Sequence, residues 1–418
     1  TVRNSTLTGN SANRGGGLYS NTNLSGVITT LIQCTLTDNT ATIRGGAIYN
    51  DFGKTVLTRC TITGNAAPAG EGSGVASYGA SDTETEVSGS IISGNSSGDV
   101  DLVVISSHNS FTSTDFNLVG TGDALADFNQ ASDLVGITDP LLAPLGNYGG
   151  LTQTMPPLVG SPAIDAGGAT SLTTDQRGYS RVIAGILADG GGSAVADIGA
   201  VEAGVVRLVK NSSGGNGTDS LQDRLNAFVN PGERILFNLE PTDNVITLTT
   251  QFSVSGTRNQ FIDASALVDA SGVIVEKDDG FGNFFVPRGV TVLQTASTRI
   301  CYIAPTATAA FSGVRLTGGN VVNNFGGGIR NDGTLELIID GNQTSGASFG
   351  DGGGVYNYGL LGIHQCTFSE NTALSDGGAI GSSGELRIDQ STISDNEAST
   401  NGGGIYLTGS GTLTILNS

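Results

Sequence analysis

One cadence constrains this chain more than anything else: an Asn, then a Gly cluster with one aliphatic residue, returning every 25 to 30 positions. The Asn recurs at Asn10, Asn39, Asn65 and Asn95, and again at Asn342, Asn371 and Asn396. The Gly clusters read RGGGLYS (14–20), RGGAIYN (44–50), FGGGIRN (325–331), DGGGVYN (351–357), DGGAIGS (376–382) and NGGGIYL (401–407). Between them the aliphatics alternate, as in Leu361, Ile363 and then Cys366, Phe368, so each unit holds short strands. The alternation slips by one at the Gln-Cys and Gln-Ser steps, which marks a bend between strands. Gly tolerates positive φ at such corners and Asn is the next best residue there. A period of this length with fixed corners predicts an all-β fold, a right-handed parallel β-helix whose coils stack about 4.8 Å apart. The Asn column then hydrogen-bonds from coil to coil, and the Leu, Ile and Val columns fill the interior.

Composition narrows the function. Of 418 residues 65 are Gly and 13% are charged, without the every-third-residue Gly of collagen. The net charge of −20 argues against nucleic acid and anionic lipid as partners. No apolar run approaches the roughly 20 residues that span a bilayer, so no membrane insertion is expected within this chain. It begins with Thr1 rather than Met, which reads as a processed or excised piece with its targeting and anchoring segments elsewhere. Cys34, Cys60 and Cys366 share a slot filled elsewhere by Ser5, Ser90 and Ser391, as a small inward-facing core position would be; a Cys34–Cys60 disulfide is the lesser reading.

Two stretches break the cadence. Residues 131–204 hold five of the ten prolines and form a closing segment. Residues 205–240 carry the one expected helix, with Asp219 and Gln222 as a capping box, Leu221, Leu225 and Phe228 on one face, and Pro231-Gly232 ending it. The expected order is therefore the last coils of one β-helix (1–130), the closing segment (131–204), the N-terminal cap of a second (205–240) and its coils (241–418).

Residues 139–202 resemble the Pro-rich segment of bacterial choice-of-anchor Q domain surface proteins. The matching phrases are Asp139–Leu142, Gly149–Thr154, Gly160–Gly167, Thr174–Gly178 and Asp197–Glu202. The flanking coils resemble the pectin-lyase-like β-helices that such proteins carry, and residues 218–229 the helix that often begins them. The resemblance implies an exported bacterial protein, extracellular or at the cell surface, with no established catalytic residues. In the family this segment usually ends the β-helix, whereas here a second one follows.

Read circularly, 205–418 followed by 1–204 gives one complete unit of cap, coils and closing segment, and TILNS (414–418) aligns with TVRNS (1–5). The expected partners are copies of itself end to end, or adjacent tandem repeats, with polysaccharide as a further candidate. Sites are sparse. Asp351, Asp376 and Asn401 occupy one slot on successive coils and are the candidates for a hard cation such as Ca²⁺; the same slot is Arg14 and Arg44 in the opening coils. Glu370 and Asp395 stack near the separation of a retaining glycosidase pair, but no aromatic platform, clustered base or Trp accompanies them, and the tyrosines read as scattered. His364 reads as an outward surface residue. The expectation is a non-catalytic structural or adhesive surface protein forming an array, filament or stalk, with no cofactor. The alternative is a carbohydrate-binding or carbohydrate-cleaving β-helix.

Overall fold

In the computed structural model the chain is nearly all β and forms a parallel β-solenoid of about 13 turns. The structure describes every residue except 23–26, 80–81, 104–107, 182–194, 213–216, 228–232, 241–243, 257–258, 270–273, 276, 279–283, 286–288, 322–323, 339–343 and 349. Asn342, Phe228 and the Pro231-Gly232 stop lie outside the described residues.

Each coil is shaped by left-handed corners. One falls at the Gln slot, occupied by Asn4 (φ 48°), Gln33 (52°), Arg59 (51°), Gln365 (52°), Gln390 (47°) and Asn417 (53°). A second comes five residues later, at Asp38 (55°), Gly64 (68°), Glu370 (58°) and Asp395 (56°). The third is the first Gly of the cluster, such as Gly45 at φ 65°. The next glycine answers a different need, because a Cβ on Gly46 would sit 2.3 Å from the Ser73 carbonyl oxygen of the following coil. The expected phase slip at Gln-Cys and Gln-Ser is thus a real corner, adopted by non-glycine residues.

Side-chain ladders hold the coils in register. Asn39 Oδ1 accepts from both the backbone N and Nδ2 of Asn10. Asn65 does the same for Asn39, and Asn95 for Asn65. In the second half Asn396 serves Asn371 in the same way. A parallel ladder runs through the Cys/Ser slot: Cys60 N donates to Ser90 Oγ, Cys366 N to Ser391 Oγ, and Ser391 N to Ser418 Oγ. Cys34, Cys60, Cys301 and Cys366 are all buried free thiols.

Two separate aliphatic cores run up the inside of two solenoids. One includes Leu31, Leu36, Ile48, Leu57 and Ile62, the other Ile235, Phe237, Phe311, Leu337 and Ile388. The second solenoid has a six-stranded wall ending in Ile405–Leu407, and an eight-stranded wall that starts at Val206–Val209 and ends at Thr412–Leu416. The helix Leu221–Asn226 buries Leu221 and Leu225 against this core at its first coils. Its cap is one residue later than expected: Ser220 Oγ accepts from Asp223 N, while Asp219 N donates to the Asp223 carboxylate. Asp219, at φ 64°, is the turn before the helix and pairs with Arg224.

The closing segment is a wedge between the outer faces of the two solenoids. Its hairpin, with bridges at Leu142–Pro157 and Gly146–Thr154, seats Tyr148 on Phe261, Ala310 and Ile338 of the second solenoid. On its other side Ala163 and Ile198 cover Ile91 and Leu118 of the first. Thr35 and Thr61 point outward from their coils yet are buried, because Gln176 and Ala200 of the wedge bond them.

These contacts fix the relative direction of the solenoids. The Gln153 carbonyl meets Thr6 on the first coil of one solenoid, and Gln153 also lies beside Glu385 and Arg387 near the last coil of the other. At the opposite end of the hairpin, Leu142 packs with Leu118 on a late coil of the first solenoid, while Pro157 accepts from Arg234 on an early coil of the second. Asp38 interacts electrostatically with Arg387 and Asp389, in the same sense. The two solenoids therefore stand side by side and antiparallel, and the first and last coils lie at the same end of the molecule.

Candidate functional site

The phrases at Asp175–Gly178 and Asp197–Glu202 converge into one buried polar knot. The Asp175 carboxylate accepts from Arg177 Nε and Nη2 at 2.9 and 2.7 Å, and from the backbone of Arg177, Tyr179 and Glu202. Arg59 reaches in from the first solenoid and donates to the carbonyls of Asp197 and Gly167 at 2.6 Å. Arg181, fully buried, faces Glu202 at 3.7 Å. Burial, reinforced by the Asp197 charge, pushes the Glu202 carboxyl up to about 9, and burial raises Asp197 to about 6. Its atoms are engaged in joining the wedge to the solenoid, so the knot is a structural junction.

Asp351, Asp376 and Asn401 do align on successive coils. Asp351 Oδ1 accepts from Asp376 N at 3.2 Å, and Asp376 Oδ1 from Asn401 Nδ2 at 2.8 Å, so the column is itself a ladder between coils. Among the described residues no group of three or more His, Cys, Asp or Glu is placed to hold a metal ion. Glu370 and Asp395 occupy the exposed left-handed corner that Gly9, Gly64 and Gly94 fill elsewhere, a slot defined by backbone shape. His108 is an exposed partner of Asp82 at 2.7 Å.

His364 departs from expectation. It faces outward from its wall but is only 4% exposed, because the wedge covers it. Its Nε2 lies 3.3 Å from Glu336 Oε2, and Glu336 accepts from the Asn147 backbone and side chain through its other oxygen. They border a cavity of about 250 Å³ with Gln153 and Arg387. No local pattern signals this, since the covering residues Asn147 and Gln153 precede His364 by 217 and 211 positions.

The tyrosines, which read as scattered, are gathered. On the second solenoid Tyr302, Arg330, Tyr356, Gly381 and Tyr406 are in strict register on successive coils, pointing outward next to the Gly corner. Phe325, Tyr356 and Tyr358 form a three-ring cluster, with Tyr356 4.8 Å from Phe325 and 4.7 Å from Tyr358 between ring centroids, and Phe325 6.4 Å from Tyr358. The Arg330 guanidinium lies 5.1 Å from the Tyr358 ring and 5.8 Å from that of Tyr302. Asp332 holds it through bonds of 2.8 and 2.9 Å and accepts from the Tyr302 hydroxyl. The first solenoid carries a counterpart. Tyr19, Tyr49 and Tyr78 stack at 5.5 and 6.1 Å, Asp51 accepts from the hydroxyls of Tyr19 and Tyr49, and Arg44 covers Tyr78. The sequence signal is IYND at 48–51, IRND at 329–332 and VYNY at 355–358, where the Asn points inward and its two neighbours outward.

Comparison with known families finds the Chlamydia polymorphic membrane protein repeat at residues 33–51, 365–383 and 390–408. Each match opens at a left-handed Gln, crosses the Asn ladder and ends just past the Gly corner. No curated protein matches the chain, and no solved structure does.

Proposed function

We propose that the chain is a non-catalytic structural and adhesive part of a bacterial cell-surface protein. The observation that carries this is the match of three coils to a repeat of surface-exposed bacterial proteins. The choice-of-anchor Q resemblance of residues 139–202 and the pectin-lyase-like character of the coils point to the same location. The carboxylates that suggest chemistry have structural roles that support a reading without catalysis: Glu370 and Asp395 are corners, and Asp376 is a ladder rung. Incubation with pectate, xylan and β-glucan should release no reducing ends and no unsaturated products; release of either would overturn this reading.

The array is part of the same proposal. TILNS at 414–418 repeats TVRNS at 1–5, and Ser418 accepts from Ser391 N as Ser391 does from Cys366 N. Coils of adjacent repeats, or of further copies, would cover the outer faces of the first and last coils. Because those coils share one end, successive periods would fold back as hairpins. Electron microscopy of native material, with the intact polypeptide mass, tests this. A regular assembly of paired solenoids is expected; discrete 42.1 kDa particles would remove the array.

A further inference from the structure

We infer that the two tyrosine strips are binding sites for a neutral polysaccharide lying along the solenoid wall. This inference stands apart from the array reading, and either can fail alone.

The strips are built as platforms. Tyr358 is 42% exposed and Tyr19 is 45% exposed, whereas Tyr356 is 4% exposed. The exposed rings are thus held from behind by a buried one, and little ordering remains to be lost when a ligand docks. Gly381 lets the buried ring pack down: a Cβ there would sit 2.8 Å from Tyr356 Cδ2, so the Tyr356 ring lies over that coil. Polar groups are fixed beside the rings. Asp332 orients Arg330, and Asp51 orients Tyr19 and Asn21. A ring face beside oriented donors and acceptors suits a sugar, whose C–H face stacks on the ring while its hydroxyls bond at the edge.

The charge pattern selects among ligands. Arg330 is paired with Asp332 and Arg44 with Glu71; Arg14 is exposed beside Tyr19, but Asp51 lies at the same ring, and with a net charge of −20 the chain disfavours an anionic partner. The wall strands that carry Arg330, Tyr356 and Gly381 pair with the coils on either side and offer an extended peptide no edge; the open edges are Leu18–Asn21 and Ile405–Leu407, at the ends of the two strips. Stacked coils about 4.8 Å apart repeat the platform along the axis, as a polymer requires. That two solenoids with separate cores each carry grouped tyrosines with an Asp and an Arg beside them is a second observation in favour.

The test is native gel electrophoresis of the full 418-residue chain in gels containing mixed-linkage β-glucan, xylan or galactomannan, with pectate as the anionic control. At least one neutral polymer should retard the protein and pectate should not. Tyr19→Ala with Tyr358→Ala should weaken retardation at least tenfold in apparent Kd, whereas Tyr358→Phe should retain it. Both sites are exposed, and an unchanged far-UV circular dichroism spectrum verifies the fold. The chain has no Trp, so tyrosine emission gives an independent titration. Absence of retardation by all three neutral polymers, equal retardation by pectate, or retardation indifferent to the double alanine variant would each overturn the inference.

Discussion

A single Asn in the ladder serves three coils at once. Asn65 Oδ1 accepts two bonds from Asn39, and its Nδ2 donates to the Leu36 and Thr63 carbonyls and to Asn95. Asn65→Ala strands a buried backbone N–H and a carbonyl, which costs about 2–4 kcal/mol and should appear as a lower urea midpoint with little change in slope. Glu202 makes a different prediction. Its pKa is raised in the fold, so between about 4.5 and 9 the native state holds a proton that the unfolded chain has released. Its contribution is complete below the unfolded value and is lost as pH rises through the folded one. Stability should fall across that window at up to about 1.4 kcal/mol per pH unit, about 6 kcal/mol at most, and Glu202→Gln should flatten the decline. Urea midpoints of both proteins from pH 5 to 9 decide it; a parallel decline in the variant would mean that Glu202 is ionised throughout.

At the level of elements, what was legible in the sequence was what is local. Corners are fixed by left-handed residues within one coil, and rungs by residues 25 to 30 apart, so Asn10, Asn39 and Asn65 declared themselves. The capping helix was legible but one residue out, because Ser220 and Asp219 are both good caps and only packing chooses between them. The wedge was recognisable as an interruption, yet its docking was not. His364 and Thr35 look like solvent positions until residues far away in sequence cover them. The tyrosine strips were partly legible: Tyr19, Tyr49, Arg330, Tyr356 and Tyr406 each follow a Gly cluster and an aliphatic, but Tyr358 and Phe325 join them only once the coils are stacked. The wedge also supplies an element-scale prediction. Tyr148 anchors it among Phe261, Ala310 and Ile338. Tyr148→Ala should cost about 3–5 kcal/mol at that contact and make residues 139–204 the first site of limited proteolysis. The coils of both solenoids should keep their β spectrum, since their cores do not include Tyr148.

For the whole molecule the decisive property is direction. A single rod of about 13 coils at about 4.8 Å per coil would be about 60 Å long and one coil wide. Two antiparallel solenoids with a wedge between them make a shorter, broader body of about two-thirds that length. Small-angle scattering of the monomeric chain should therefore give a distance distribution with a broad shoulder from the second solenoid, not the long linear tail of a rod. Cross-linking should couple the second coil to the late coils of the other solenoid, because Asp38 lies near Arg387 and Asp389. Cysteines at positions 38 and 389 provide a direct check: a bismaleimide should join them, and a chain extended end to end would leave them unlinked. The same pairing bears on the proposed array: a rod would add coils at opposite ends, whereas this hairpin presents its first and last coils together, so in that array each added period would reverse the solenoid.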